Sequence, residues 1–359
     1  MVSRTILVLA FATVLAVGLL PTSPLPACCP APRPGIPVVN ADQSVIILWD
    51  AANKTEHFIR KASFQSAGDD FGFIVPSPNQ PELEESGNEA FPYLHDLTAP
   101  KVIRIPRPAL GIGCGGTATL HDDRFSATPP PMVQVLQEKE VAGFDAVVLE
   151  AKSSGELVGW LKEHGYAFSP EVEAWAKPYV AAGWKFTALK IAKNRSGADK
   201  TVSAAALRIS FKTNRPLFPY REPDPKAAAK ALGAEKRMLR IYFLAEARYV
   251  GELTKETPWT GKAVWADKLE RGKRKELLDL LKLPSSTGPT TMWLTEFEDW
   301  WPYQAAPADV YFSRDPHQGS FHRKPVIQYV SSGWRGDVTL YALAMALVLP
   351  PLVRRVRRK

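Results

Sequence analysis

Three cysteines are the first candidates for chemistry in this chain. Cys28 and Cys29 are neighbours near the N-terminus, and Cys114 lies in the glycine run Gly111-Ile112-Gly113-Cys114-Gly115-Gly116. In an exported protein, three cysteines predict one disulfide and one spare thiol. A bridge between adjacent residues is strained, so the expected pair is Cys114 with Cys28 or Cys29. It would close a loop of about 85 residues and stabilise the fold by several kcal/mol in the chain-entropy view. The sharper alternative makes Cys114 a nucleophile. A thiolate needs a base or a positive field beside it, and Arg104 and His121 are the groups near in sequence. The glycine run itself reads as a turn. No Lys-Ser/Thr pair follows it and no helix begins there, so it lacks the parts of a phosphate cradle.

Metal chemistry has little to build on. His121-Asp122-Asp123 is the densest cluster of hard ligands, but adjacent residues rarely converge on one ion. His317 and His322 sit five apart in a Gly-containing loop, with no third ligand at a matching spacing. No metal and no cofactor is therefore expected. Neither a Gly-x-Ser-x-Gly elbow nor a His-Glu-x-x-His helix is present, and no catalytic residue can be named. The expectation is a non-enzymatic binding or structural module. The alternative is an extracytoplasmic hydrolase whose site lies in the loop 107–131. Asn53-Lys54-Thr55 and Asn194-Arg195-Ser196 match glycosylation sequons, a pattern short enough to recur by chance. Arg271–Lys275 (RGKRK) reads as a solvated basic face, with membrane-surface contact second.

The elements that would position these residues follow from patterning. At 359 residues, 45% apolar and 23% charged, the chain is long enough for a sizeable core. Its net charge of +8 is concentrated at the ends: Arg4 supplies one unit and the last six residues five, leaving +2 for the body. A near-neutral exported body argues against nucleic acid as a partner. Arg4 followed by the apolar run Thr5–Leu20 predicts a signal peptide over 1–27. Leu25-Pro26-Ala27-Cys28 also resembles a loose lipobox, with Cys28 as the lipidated residue. Seven prolines within Pro21–Pro37 predict an extended spacer, assigned to 28–40. The apolar run Val338–Val353 would reach about 24 Å as a helix, short of a roughly 30 Å hydrocarbon core. Counted from Gly336 it makes a marginal transmembrane helix, 336–353. The basic tail 354–359 then stays in the cytoplasm by the positive-inside rule. The expected place is the cell envelope, with the main domain outside the cytoplasm and the membrane as the first partner.

Between these ends, 41–330 reads as an extracytoplasmic α+β domain that divides, if anywhere, near 250. Strands are predicted at Gln43–Trp49, Thr55–Phe64, Phe71–Val75, Lys185–Ile191, Ala206–Phe211, Met238–Phe243, Met292–Phe297 and Val310–Phe312. Gly68-Asp69-Asp70 is expected to turn the second of these into the third. Gln134–Val141 and Ala146–Glu150 read as a hairpin around Gly143. Helices are predicted over Asn88–Leu97, interrupted early by Pro92, from Ser153 to Gly165 behind a capping box with Glu156, from Ser169-Pro170 to Gly183 with a kink at Pro178, at Lys226–Leu232, and over Lys268–Leu283. Strands dominate without regular βα alternation. The expected fold class is α+β: mainly antiparallel sheets with a few packed helices.

Several stretches resemble the bacterial family called domain of unknown function 2330. They are Cys28-Cys29, Phe71-Gly72-Phe73-Ile74-Val75-Pro76, Leu97-Thr98-Ala99-Pro100, Phe144-Asp145-Ala146-Val147-Val148-Leu149 with Ala151-Lys152, Leu161-Lys162-Glu163-His164-Gly165-Tyr166 and Gly183-Trp184-Lys185-Phe186. The likeness covers roughly residues 28–250. Its motifs are apolar strands and helix caps, so the resemblance implies a fold and no active site.

Overall fold

The computed structural model describes residues 29–31, 43–60, 72–108, 133–166, 170–191, 205–221, 236–254, 258–302 and 308–332. The chain forms two compact units. One holds Met1–Leu97 with Leu120–Phe321, the other Thr98–Thr119 with His322–Lys359.

The first unit is a stack of two sheets with helices on both outer faces. The larger sheet has seven strands in the order β14-β15-β12-β2-β3-β10-β5, namely Lys262–Lys268, Trp293–Pro302, Lys236–Ala245, Gln43–Asp50, Thr55–Arg60, Ala206–Lys212 and Glu82–Ser86. All its neighbours are antiparallel except β12 and β2, which run parallel. The smaller sheet is antiparallel throughout, in the order β1-β4-β9-β8-β7: Cys29–Ala31, Gly72–Ser77, Lys185–Ile191, Phe144–Glu150 and Gln134–Val141. Three further strands, β11 (Leu217–Phe218), β16 (Val310–Arg314) and β13 (Tyr249–Glu252), pair in that order.

Strand β2 explains the stacking. Val45, Ile47 and Trp49 enter one core with Phe73 and Phe144 of the smaller sheet, while Ile46 and Leu48 enter another on the opposite face. A strand apolar on both faces must be covered on both. Helices α1 (Ala90–Thr98) and α4 (Arg271–Leu280) cover the outer face of the large sheet, through Phe91, Leu94, Leu277 and Leu278. Helices α2 (Ser154–Glu163) and α3 (Pro170–Ala181) cover the smaller sheet, with Trp160, Trp175 and Tyr179 packed on Phe186 and Ala188.

Local signals account for many of the ends. Ala142 (φ 55°) and Gly143 (φ 86°) form the two-residue turn joining β7 to β8, both left-handed as a type I′ hairpin requires. The Ser153 hydroxyl accepts from the Glu156 N–H at 3.1 Å, and the Glu156 carboxylate accepts from the Lys152 N–H at 3.1 Å, so the capping box forms one residue displaced. The α+β class and its mainly antiparallel sheets stand as read. Differences lie in the details. Pro92 does not interrupt α1, because it occupies the first turn, where its missing N–H has no partner to lose. Helix α3, by contrast, runs as read, with Pro178 inside it, and ends at Ala181. The β3 and β4 strands are not hairpin partners: β3 pairs with β2 and β10, and β4 with β1 and β9. The last helix is shorter than expected, since Lys268 still belongs to β14 and Lys282 turns the chain at φ 54°. Residues 29–31 of the Pro-rich stretch form an edge strand, where Pro30 costs no ladder bond.

Two polar constellations tie this unit together. Asp299, fully buried on β15, accepts from Tyr220 Oη at 2.7 Å, Trp259 Nε1 at 2.9 Å and Thr260 Oγ1 at 2.6 Å. Asp309 accepts from Tyr179 Oη at 2.7 Å and the Arg221 N–H at 3.1 Å, pinning α3 to the segment before β16.

The second unit contains β6 (Val102–Pro108) and β17 (Val326–Ser332), a parallel two-stranded sheet. No helix among the described residues is long and apolar enough to cross a membrane. The expected signal, the transmembrane segment 336–353, the basic tail and the helix at Lys226–Leu232 lie outside the described residues.

Candidate functional site

Three strand ends of the first unit meet at a turn. The β2–β3 loop, residues 51–54, is folded by Asp50: its carboxylate accepts from the Asn53 N–H at 3.0 Å and from Asn53 Nδ2 at 2.8 Å. Lys54 then takes a left-handed conformation, φ 47°. The Asp50 carboxyl is buried enough to be raised, yet the two Asn53 donors, the Gly288 N–H and His57 hold it below the ordinary 3.8. Beyond the last β3–β10 pair, Lys212 Nζ donates to Asn53 O at 2.9 Å and Thr55 Oγ1 at 2.8 Å, and the Thr213 N–H donates to Lys54 O at 3.0 Å. Asn79, just past β4, donates through Nδ2 to Lys212 O at 2.8 Å and so draws the smaller sheet to the same place.

An open cleft of about 520 Å³ lies here, lined by Asn53, Lys54, Asn79, Trp184, Lys212 and Arg215, with Tyr311, Asn214 and Thr213 completing its polar wall. Three cations therefore face one space, and among the described residues no carboxylate lines it. Among the described residues Lys54 Nζ donates to the Asn214 amide oxygen alone, at 3.3 Å. Arg215 stacks over the Tyr311 ring at 5.2 Å, donates through Nε to Phe312 O at 3.2 Å and pairs with Glu252 at the rim. Such a lining attracts anions by its field, offers amide and hydroxyl groups for hydrogen bonds, and presents rings for stacking.

Behind Leu217, which also lines the cleft, Glu56 is fully buried. Its Oε2 accepts from the Leu217 N–H at 2.8 Å, while Oε1 has no hydrogen-bond partner among the described residues. Burial pushes this carboxyl well above 4.5, offset only in part by the Leu217 N–H. On the other face of the same strand, His57 Nδ1 and Ser210 Oγ lie 2.8 Å apart. Burial, then the nearby Arg208 charge, brings the imidazole down to about 4. This is a neutral cross-strand pair.

Of the residues singled out by chemistry, Cys28, Cys114, the Gly run, His121-Asp122-Asp123 and Asn194 lie outside the described residues, as do 109–131 of the expected loop 107–131. Arg104 and Arg107 belong to β6. Cys29 belongs to β1, opposite Ile74. The His317 side chain is 86% exposed and 3.6 Å from Asp315, and no group of three metal-ligating side chains occurs among the described residues. The basic helix face is only partly solvated: Arg274 donates to the carbonyls of Pro289, Ser285 and Thr287 at 2.9–3.0 Å and holds that loop. Asn53-Lys54-Thr55, read as a chance sequon, proves to be the turn that builds the cleft.

A family model described as an uncharacterised protein conserved in bacteria, DUF2330, matches residues 24–298. The match extends past residue 250 through most of β15. Among curated proteins none matches. Among solved structures, the crystal structure of baculovirus P35 aligns over 76% of this chain and 96% of that chain, at 8% identity and a TM-score of 0.33.

Proposed function

The chain belongs to the uncharacterised bacterial family DUF2330, and from this premise we propose that it is a non-catalytic binding module of the cell envelope whose cleft takes an anionic saccharide segment. The observation that carries the reading is the lining itself: Lys54, Lys212 and Arg215 beside Trp184, Tyr311 and three asparagine amides, with no carboxylate among the described residues. Amides and hydroxyls match the hydroxyls of a sugar, the rings match its apolar face, and the cations match a carboxylate substituent. The apolar segment Val338–Val353 and the basic tail would anchor the body outside the cytoplasmic membrane.

Calorimetry of the full chain with a galacturonate hexamer and with a neutral galactose hexamer tests the cleft. The acidic sugar should bind at least tenfold tighter, lose affinity with added salt, and lose a further tenfold in Lys54→Ala/Lys212→Ala. Equal binding of the two sugars, or no effect of the substitutions, defeats the reading. A preference for hexaglutamate would replace the saccharide by an acidic peptide. Anchoring is tested separately. A reporter fused after Lys359 should be active only in the cytoplasm, and one inserted near Ser331 only outside.

A further inference from the structure

The second unit presents a surface of unusual composition. In the parallel pair β6·β17, Val102 faces Val326 and Ile103 faces Ile327 in register. These four side chains are 49–53% exposed and Tyr329 is 58% exposed. Consecutive residues on a strand point to opposite faces, so apolar groups are open on both sides of the ribbon. Parallel strands are ordinarily covered on both faces, and two strands alone have little stability in water. An apolar patch rimmed by polar groups marks a surface that meets something else.

Charge indicates what that is. Residues 98–108 and 322–332 carry Lys101, Arg104, Arg107, Arg323 and Lys324 and no Asp or Glu at all. Chain length indicates where. Six peptide units separate Ser332, the end of β17, from Val338, where the apolar segment begins. Fully extended they span no more than about 22 Å. We propose that the β6·β17 ribbon docks on the anionic lipid headgroups of the membrane, with its aliphatic and tyrosine side chains at the interface and its cations on lipid phosphates. This rests on the anchored reading above, because a membrane-crossing 338–353 confines the ribbon to the headgroup zone. Tyrosine belongs at such interfaces, and each cation near an anionic leaflet raises partition by roughly fivefold.

The test is hydrogen exchange on the full chain in nanodiscs of phosphatidylcholine alone or with 30% phosphatidylglycerol. Amides of 102–108 and 326–332 should exchange at least tenfold more slowly with phosphatidylglycerol. The protection should vanish at high salt and in Lys101→Gln/Arg104→Gln/Arg107→Gln/Arg323→Gln/Lys324→Gln. Exchange of 102–108 and 326–332 in that variant equal to that of the unsubstituted chain in phosphatidylcholine alone certifies that the ribbon is still folded. If the chain resists carbonate extraction but the ribbon exchanges equally in both lipids, anchoring stands and docking is overturned. Protection that is independent of lipid but grows with protein concentration also overturns it, in favour of a second copy of this chain. If carbonate releases the chain, the anchored reading fails. Co-sedimentation with vesicles of the same two compositions then decides: lipid-selective sedimentation that is lost in the variant upholds docking, and its absence refutes it.

Discussion

The Asp299 constellation and the cleft both gather polar side chains in the first unit, and they use them in opposite ways. Around Asp299 both carboxylate oxygens have donors, and the carboxylate is itself fully buried, with the exposed Thr260 closing one edge of the cluster. In the cleft, Lys54 and Lys212 meet carbonyls, a hydroxyl and an amide, and no carboxylate among the described residues. A buried charge survives only when its partners replace the lost water, so the first cluster spends its polarity on itself. An exposed cation keeps its hydration and its field, so the second has polarity left for a ligand. Residue type does not separate the two. Position relative to the sheets does.

The hardest way to break this contrast is at its buried end. Asp299→Ala strands the buried donors of Tyr220 and Trp259 in the core, and should cost about 3–5 kcal/mol in urea unfolding. A loss near 0.5 kcal/mol would mean that water reaches the cluster. Next comes Gly261→Ala. A Cβ there would sit 2.3 Å from Trp259 Cζ2, and one added at Gly251 would sit 2.4 Å from Cε3 of the same indole. The Trp259 ring cannot move away without losing Asp299, so we expect a loss of about 1–3 kcal/mol and a change in near-UV circular dichroism.

Glu56 sharpens the comparison, being buried like Asp299 but given a single donor among the described residues. Its folded-state pKa lies above its unfolded one. As pH rises past 4.5 the unfolded chain releases this proton while the folded chain keeps it, so stability falls with pH until the folded group also ionises. The contribution to the slope is at most about 1.4 kcal/mol per pH unit. Glu56→Gln keeps an acceptor for the Leu217 N–H and should flatten the decline, giving a higher thermal midpoint at pH 8 but not at pH 4. Identical pH profiles would show that Glu56 is already ionised in the folded state. The smallest effect on stability is expected in the cleft itself. Lys54→Ala/Lys212→Ala should change the unfolding free energy by less than about 0.5 kcal/mol per site, while binding of the acidic probe is lost. A larger destabilisation would make these lysines structural.

Much of the first unit was legible because its signals are local. The run Gln43–Trp49 is β-branched and apolar, Ser153 and Glu156 stand at capping distance, and Gly143 marks a hairpin turn. Each such signal acts over a few residues. Elements with weaker local signals went unread. Strand β5, Glu-Leu-Glu-Glu-Ser, looks like an acidic turn, but it is an edge strand that buries only Leu83 and Ser86 and leaves its acids in water. Lys262–Lys268 and Tyr249–Glu252 carry equally weak local signals, because an edge or a short strand needs only one buried face.

The sequence by itself determined the strand-rich α+β class, the main apolar strands, the caps, the family and the charge asymmetry of the chain. The tertiary structure decided which strands are neighbours, and through that the site. Asn53 and Tyr311 share a cleft although 258 positions separate them, and β2 lies parallel to β12 across nearly two hundred residues. No periodicity within a window of ten residues encodes that pairing. It is set by the demand that both faces of β2 be covered at once, a condition met only when distant strands and helices arrive together.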